Sequence, residues 1–443
     1  MILELSELIK TYDYEKIREF FAELNVVDIA SEFEDMDDRD VAKLFRILPK
    51  DTAAEVFAYL SADIQQLIIE AITDREIRDI INELFLDDAV DFIEEMPANV
   101  VKRVLLNVPP EKRELINQFL KYPEYSAGSM MTVEYASLRP HTTVADAFER
   151  IRNTGYDRET IYTMYVTDLE RHLIGVVSAK ALLLAEPDDL VDNLMERNFV
   201  HATTHEDRES LANSFVKYGL LAMPVVDNEN RLVGIITVDD VLEVQQDEAT
   251  EDFEIMAAMS PSEEPYLKTS VLTLAKNRII WLLLLMLSAT ITGAIITNFE
   301  EALALLPVLI TFIPMLMDTG GNAGSQSSTL VIRGLALEEI NTGDKARVLS
   351  KEMRVALLCG SILSIVNFAR LLIVGDSFTL AAAVSLSLFA TVMLAKIVGS
   401  LLPIFAKMLR LDPAVMAAPI ITTVVDACSL LIYFILAKLI LGI

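Results

Sequence analysis

Long apolar runs fill the last third of the chain and predict helices that cross a membrane. A run of about 18 or more apolar residues can span the hydrocarbon core of a bilayer. Five runs reach that length and predict a five-helix transmembrane domain over residues 278–443. The runs cover approximately residues 279–299, 303–337, 355–374, 378–405 and 415–441.

Basic residues indicate how these helices are oriented. The loops after the second and fourth runs carry Lys and Arg, whereas the loops after the first and third carry none. Positive loops stay on the cytoplasmic side, and residues 1–16 lack the pattern of a signal peptide. The sequence therefore predicts a multi-pass protein of the plasma membrane, with the lipid bilayer as a partner and with cytoplasmic N-terminal domains.

A polar segment interrupts the second run between Asp318 and Gln326, where three glycines accompany Asp, Asn and Gln. Such groups are tolerated at membrane depth where they face protein or a water-filled cavity. Tight helix packing through small residues would explain the glycines, but it would not explain the polar side chains. The pattern therefore predicts a break in the helix that lines an ion path.

A carboxylate, Asp426, lies near the middle of the fifth run. A charge at that depth is costly unless it meets a cation or water. Two alternatives to an ion path are pairing with Arg370 or Lys396, and a proton relay in a pump. The positions of Arg370 and Lys396 along their runs, near the outer and inner ends, favour the ion path.

The first 250 residues predict two soluble domains. Residues 161–183 and 220–242 repeat one pattern of strand, Asp-containing turn, strand and helix start, which predicts two α/β units over 126–190 and 191–250. Residues 1–125 look all-α, and DVAKLFRILP (40–49) recurs as DAVDFIEEMP (88–97). Repeated helix pairs of this kind stack into a superhelix. The predicted fold class is thus a multidomain membrane protein with an all-α superhelical N domain.

Charge separates the two halves of the chain, whose net charge is −29. Residues 1–268 hold 56 Asp and Glu against 25 Lys and Arg, whereas residues 269–443 are nearly neutral. An acidic surface excludes nucleic acid as a partner and suits cations. No phosphate loop, nucleophile–base pair or closed metal-ligand set appears, so we expect no enzyme; a membrane-tethered enzyme or nucleotide sensor is the alternative of another class.

The segment that connects the soluble and membrane domains, residues 239–277, begins with seven carboxylates in the 14 residues 239–252. Several lie three or four residues apart and share one helix face. Oxygen-rich surfaces of this kind suit Ca²⁺ or Mg²⁺. A solvated acidic helix is an equally good interpretation of the composition alone.

Three motifs show a resemblance to a known family. They are EYSAGSMMT (124–132), PMLMDTGGNAGSQ (314–326), and the segment from Asp412 to Asp426. Over essentially its full length the chain resembles the MgtE family of bacterial magnesium channels, and residues 126–250 resemble a tandem pair of CBS domains. The resemblance implies a homodimer with its pore on the two-fold axis.

The resemblance also implies site residues. Asp426 would hold hydrated Mg²⁺ in the pore, together with Thr422, Gly321, Asn322 and Gly324. Thr237 and Asp240 would contact a nucleotide, with ATP as a candidate modulator, although Thr237 suits a helix N-cap equally well. The implied cytosolic Mg²⁺-sensing residues are Asp87, Asp91, Asp207, Glu209, Asp240, Glu243, Glu248, Glu251, Asp252 and Asp412. In one departure from the family, Ala417 and Ala418 stand where relatives often carry a polar or small pair.

The function implied is a Mg²⁺ channel for magnesium uptake that intracellular Mg²⁺ closes by binding to the acidic N-domain, CBS and connecting-helix surfaces. Mn²⁺, Co²⁺ and Ca²⁺ are alternative cations. A proton- or sodium-coupled secondary transporter of divalent cations is the alternative mechanism.

Overall fold

The computed structural model describes residues 14–34, 36–262 and 266–442. It divides into two compact units, and the boundary along the chain lies between Gln245 and Gln246. Residues 1–13, which belong to the predicted helical N domain, and residues 263–265 of the predicted connecting segment lie outside the described residues.

Short helices of nearly equal length make up the described part of residues 14–119. They are α1 (Tyr14–Ala22), α2 (Val26–Glu34), α3 (Asp38–Phe45), α4 (Lys50–Ala58), α5 (Ala62–Ala71), α6 (Asp74–Glu83), α7 (Leu86–Glu95), α8 (Ala98–Asn107) and α9 (Pro110–Phe119). Each helix begins 12 residues after the one before it. The prediction of a helical superstructure is therefore confirmed, but the repeating unit is one helix, not the predicted pair. The similarity at 48 residues is a multiple of this shorter repeat.

A ladder of phenylalanines explains the 12-residue repeat. Phe21, Phe33, Phe45 and Phe57 occupy the same position in successive helices, and their ring centroids lie 5.7, 6.3 and 6.2 Å apart. All four rings are buried. One ring from each of these four successive helices therefore builds a continuous core.

Two three-stranded sheets of identical topology follow. The first contains β1 (Tyr135–Leu138), β2 (Thr160–Thr167) and β3 (Leu173–Ser178), and the second contains β4 (Ala202–Thr203), β5 (Ala222–Val226) and β6 (Leu232–Thr237). In each sheet the first pair of strands is parallel and the second pair antiparallel. The helices of these two α/β units are α10 (Ala127–Met130), α11 (Val144–Thr154), α12 (Ala179–Leu184), α13 (Val191–Leu194) and α14 (Arg208–Tyr218).

The two α/β units hold each other through exchanged methionines. Met131, which opens the first unit, packs on Gly234 of the second, and Met195 of the second packs on Gly175 of the first. A Cβ at either glycine would come within 2.7 Å of a methionine sulfur. Glycine is therefore required at both strand positions, and the units form one pair.

A single helix, α15 (Val238–Met256), follows the second sheet. The membrane domain contains α16 (Val271–Asn298), the short α17 (Glu300–Leu305), α18 (Ile313–Ala336), α19 (Lys345–Val374), α20 (Phe378–Met408) and α21 (Ala418–Leu441). Among the described residues, four helices are long and apolar enough to cross a membrane, namely α16, α19, α20 and α21 with their short extensions. The remaining one of the five membrane helices predicted from the sequence is α18, which is α-helical but carries the polar segment.

The predicted break in the second run is wrong in position. The chain leaves α-helical geometry at Leu306–Phe312, whereas α18 continues without interruption through residues 318–326. Its glycines serve close packing: a Cβ at Gly320 would lie 2.7 Å from Thr391 Cγ2, and one at Gly324 would lie 2.7 Å from Ile421 Cγ2. The packing alternative that the sequence left open therefore accounts for these two glycines.

The backbones of α18 and α20 are in direct contact at Gly324 and Gly399, where a Cβ at Gly399 would overlap the Gly324 carbonyl oxygen. We expect Gly399→Ala to destabilise the membrane domain by about 1–3 kcal/mol, because the backbones must move apart. Gly293→Ala is the matched control, since nothing lies within 4 Å of a Cβ there and alanine favours a helix. Thermal unfolding of the purified protein in detergent measures both. Equal melting temperatures for the two variants would contradict the packing assignment.

Candidate ion path and cytosolic cation sites

One face of α18 is polar and exposed. Asp318, Asn322 and Gln326 are spaced by four residues and share that face, and all three side chains are exposed. Polar groups at membrane depth cannot remain against lipid without a large cost. This face must therefore meet water or another protein surface.

The half-buried Asp426 of α21 lies on the neighbouring helix, and the charge of Asp318 acts on it. One turn before Asp426, Thr422 packs against α18, where a Cβ at Gly321 would come within 2.9 Å of Thr422 Cγ2. The Thr422 hydroxyl donates to the Pro419 carbonyl oxygen at 3.0 Å. The structure thus brings Asp426, Thr422 and Gly321 together with Asp318.

Asp318 is a site residue that the sequence analysis did not single out as a ligand. The sequence feature that points to Asp318 is its four-residue spacing from Asn322, which places both residues on one face only if the helix is unbroken. Because a break was predicted there, the pairing of Asp318 with Asp426 was not expected. Gly324, by contrast, faces the packed side of α18.

The two basic residues that could have neutralised Asp426 have other partners. Arg370 donates to Asn367 Oδ1 at 2.9 Å, and Lys396 donates to Ser327 Oγ at 3.1 Å. Among the described residues no ion pair joins either of them to Asp426. The charge of Asp318 therefore acts on Asp426 without a described ion pair that offsets it.

A second group of carboxylates forms where α7 meets α15 and the first sheet. Asp87 and Asp88 of α7 and Asp240 of α15 lie close together, and Asp87 is only 8% exposed. Burial, followed by the charges of Asp88 and Asp240, raises the pKa of Asp87 well above its usual range. Burial and Asp240 raise the pKa of Asp88 to about 6, and burial raises that of Asp240 to about 6.

Asp91 and Glu243 belong to the same group. Asp91 keeps one side exposed, and its pKa is raised by loss of solvation and by the charges of Asp88, Glu94, Asp240 and Glu243. These carboxylates come from segments about 150 residues apart in the chain, and each disfavours the ionisation of the others.

Glu159 is the further member that the sequence did not reveal. Its Oε2 atom is buried and has no hydrogen-bond partner among the described residues. Burial, followed by the charges of Asp88, Asp240, Asp239 and Glu134, raises the pKa of Glu159 to about 8. An orphaned carboxylate oxygen beside other carboxylates is a ligand set that suits a hard cation.

Local cations only partly offset this charge. Lys112 acts on Asp88, but its ammonium donates to the backbone carbonyl oxygens of Asn82 and Leu84. Within the described residues no three carboxylate, His or Cys side chains stand close enough to form a complete metal site. The group therefore suits an ion that keeps part of its water shell.

Thr237 and Asp207 have local structural roles. The Thr237 hydroxyl donates to Asp240 Oδ2 at 2.8 Å. Asp207 Oδ2 accepts from the backbone N–H groups of Glu209 and Ser210 and caps α14. Asp207 and Glu209 are both exposed.

The third acidic group lies within the second unit, where the end of α15 meets the loop before α21. Burial, followed by the charges of Asp412, Glu248 and Glu251, raises the pKa of Asp252 to about 6. Asp412 itself accepts a hydrogen bond from the Ala414 backbone N–H at 2.8 Å. The predicted sensing residues at this end of the connecting helix are thus neighbours.

Apolar contacts fix the same end of α15. Ile255 and Met256 pack on a buried group that contains Ile332 of α18 together with Ala414 and Ala417. Ser328 of α18 also donates to the Met416 carbonyl oxygen at 2.8 Å. The last turn of the connecting helix therefore rests on α18 and on the loop that leads to Asp426.

The raised pKa of Glu159 predicts how pH affects the first unit. Its folded-state value of about 8 lies above the usual value of about 4.3, so its contribution to stability is present at low pH and is lost as pH rises towards 8. Without divalent cations, we expect the thermal stability of the first unit to fall between about pH 5.5 and about pH 8.5, and Glu159→Gln to reduce that fall. The exposed Glu149→Gln is the control, and an unchanged pH slope in Glu159→Gln would contradict the assignment.

Comparisons with known proteins identify the family. Residues 313–436 match the model of the MgtE divalent cation transporter family, residues 24–125 match the MgtE intracellular N domain, and residues 127–188 and 191–247 match CBS domains. The magnesium transporter MgtE of Thermus thermophilus is 35% identical over 100% of this chain and 98% of its own length. That of Bacillus subtilis is 32% identical over 98% and 96%.

Solved structures resemble the cytosolic portion. The cytosolic domain of the Mg²⁺ channel MgtE in complex with ATP is 33% identical, with a TM-score of 0.53, and the match covers 55% of this chain and all of that one. The soluble part of a magnesium transporter gives a TM-score of 0.53 at 28% identity, covering 56% and 98%. The full-length relatives are named as transporters, not as enzymes. The predicted resemblance and fold class are confirmed, and the chain belongs to the MgtE family of magnesium transporters, which are membrane-embedded proteins with a cytosolic N-terminal portion.

Proposed function

We propose that the protein is a Mg²⁺ channel for magnesium uptake, and that intracellular Mg²⁺ closes it. The observation that supports a path for cations is the meeting of Asp318 and Asp426 beside an exposed polar face of α18. In a homodimer with its pore on the two-fold axis, both copies of this face would line one path. A carboxylate ring of this kind favours cations and excludes anions.

The chemistry of Mg²⁺ suits such a path. The ion gives up its water reluctantly, so carboxylates that bind its water shell can hold it without replacing that shell. Asp426 is the central ligand in this proposal, with Asp318, Asn322, Thr422 and the backbone at Gly321 around it. Mn²⁺, Co²⁺ and Ca²⁺ are the competing cations.

The acidic surfaces are the proposed Mg²⁺ sensor. Repulsion among Asp87, Asp88, Asp240 and Glu159 opposes a compact first unit when Mg²⁺ is scarce. Bound Mg²⁺ removes that repulsion and stabilises the compact form. Because several ions bind the closed state, each adds its own preference for that state and the response is steep.

The connecting helix is the proposed gate. Mg²⁺ bound between Asp252 and Asp412 would hold the last turn of α15 against the loop before α21, where Ile255 and Met256 already pack. That loop leads directly to the helix that carries Asp426. Cytosolic binding and the pore are therefore linked by one helix end.

ATP is a proposed modulator of the CBS pair. The related cytosolic domain is described in complex with ATP, and the resemblance assigns Thr237 and Asp240 to nucleotide contact. Since the Thr237 hydroxyl bonds to Asp240, a nucleotide bound there would alter an acid of the proposed sensor.

Substitution of the central carboxylate tests the pore. We expect Asp426→Asn to reduce Mg²⁺ flux into liposomes by about 100-fold, because the neutral side chain loses the charge–ion interaction in a poorly screened site. Asp376→Asn, in the turn between α19 and α20, is the control and should conduct normally. If a correctly folded Asp426→Asn channel conducted and selected Mg²⁺ as the unmodified protein does, the pore assignment would be wrong.

Weakening the apolar contact of the connecting helix tests the gate. We expect Ile255→Ser to raise the cytosolic Mg²⁺ concentration that halves the flux by about tenfold, because the closed state loses most of the burial of one large side chain. Flux at low Mg²⁺ should not change. The exposed Gln246→Ser on the same helix is the control. A fall in flux at low Mg²⁺ without any shift in closure would count against the gate.

A further inference from the structure

A buried ion pair lies inside the membrane domain, apart from the proposed ion path. Lys396 of α20 is 5% exposed, and its Nζ atom lies 3.9 Å from Glu352 Oε2 of α19. The side chains of the pair are 6% and 12% exposed. Charges buried at this depth are rare and usually relate to function.

Ser327 of α18 connects the two charges. Lys396 Nζ donates to Ser327 Oγ at 3.1 Å, and Ser327 Oγ donates to Glu352 Oε2 at 2.6 Å. The ammonium also lies 3.5 Å from the Ala323 carbonyl oxygen. Three helices thus share one hydrogen-bonded group around a single buried cation.

This cation lies against the flank of the helix that carries the polar face. Ala323 and Ser327 are on the buried flank of α18, whereas Asp318, Asn322 and Gln326 are on its exposed face. These two residues lie roughly 120° around the helix from the centre of the polar face, so the ammonium lies to the side of that face, on the order of 10 Å from it. Protein and lipid screen charge poorly over such a distance, so an unbalanced ammonium would repel cations on the exposed face.

We propose that Glu352 is a charge-balancing residue for cation passage. It neutralises Lys396, so that α18 and α20 present no net positive charge to the passing ion. The inference rests on the proposed function. Repulsion by an unpaired ammonium acts twice as strongly on a divalent as on a monovalent cation, so Mg²⁺ passage depends on this balance.

Charge balance and helix packing alone predict different results when one or both charges are removed. If the pair only held three helices together, removing either charge would impair the protein, and removing both would not restore it. If charge balance matters, only the variant that leaves a bare ammonium is impaired. Replacing both members of a buried ion pair by neutral residues is often harmless to the fold.

The test compares Glu352→Gln, Lys396→Met and the double variant by Mg²⁺ influx into liposomes at low cytosolic-side Mg²⁺. We expect Glu352→Gln to conduct at least about tenfold more slowly than the unmodified protein, and both Lys396→Met and the double variant to stay within about threefold of it. The proposal is overturned if folded Glu352→Gln conducts normally, or if the double variant is as slow as Glu352→Gln.

Moving the counter-charge keeps the proposal testable if Glu352→Gln does not fold. Ser327→Asp combined with Glu352→Gln puts a carboxylate beside Lys396 on α18 instead of α19, since Ser327 Oγ already lies 3.1 Å from the ammonium. Flux within about threefold of the unmodified protein supports charge balance, and a folded but slow protein overturns it. Failure of the proposed function would give a different result from failure of this proposal. In that case Asp426→Asn would conduct normally, whatever the Glu352 and Lys396 variants do.

Discussion

Carboxylates brought together without a matching protein cation constrain this molecule in three places. In the first unit, Asp87, Asp88, Asp240 and Glu159 are partly or fully buried side by side. In the second unit, the charge of Asp412 acts on Asp252, and that of Asp318 acts on Asp426. Ionising neighbouring carboxylates costs free energy. In the proposed function a divalent cation offsets that cost, both in the soluble domains and along the path.

Elsewhere in the described residues, several basic side chains have partners within the protein, in contrast to these three places. Lys396 and Glu352 balance each other inside the membrane domain, and Arg370 bonds to Asn367. A surface ion pair between Arg103 and Asp74 joins α8 to α6. The acidic groups around Asp88, Asp252 and Asp426 differ from these, because the charges that act most strongly on each are those of other carboxylates.

Sequence patterns predicted the helices and strands well, but they predicted the contacts between these elements less well. Apolar runs and basic loops are local properties, so the membrane helices and two α/β units could be predicted. The grouping of Glu159 with Asp88 and Asp240 depends on how distant segments fold together, and no local pattern marks it. The polar segment at Asp318–Gln326 was predicted to break α18, but packing of Gly320 and Gly324 against α20 and α21 keeps it helical. That continuity is what places Asp318 beside Asp426.

The central claim is that crowded carboxylates let cytosolic Mg²⁺ close a passive Mg²⁺ path. Its most direct test is the flux of purified protein in liposomes, with proton and sodium gradients abolished, while Mg²⁺ on the cytosolic side is varied. The account predicts flux that follows the Mg²⁺ gradient alone and that falls steeply as cytosolic-side Mg²⁺ rises. Flux that requires a proton or sodium gradient, or that does not respond to cytosolic Mg²⁺, would contradict it.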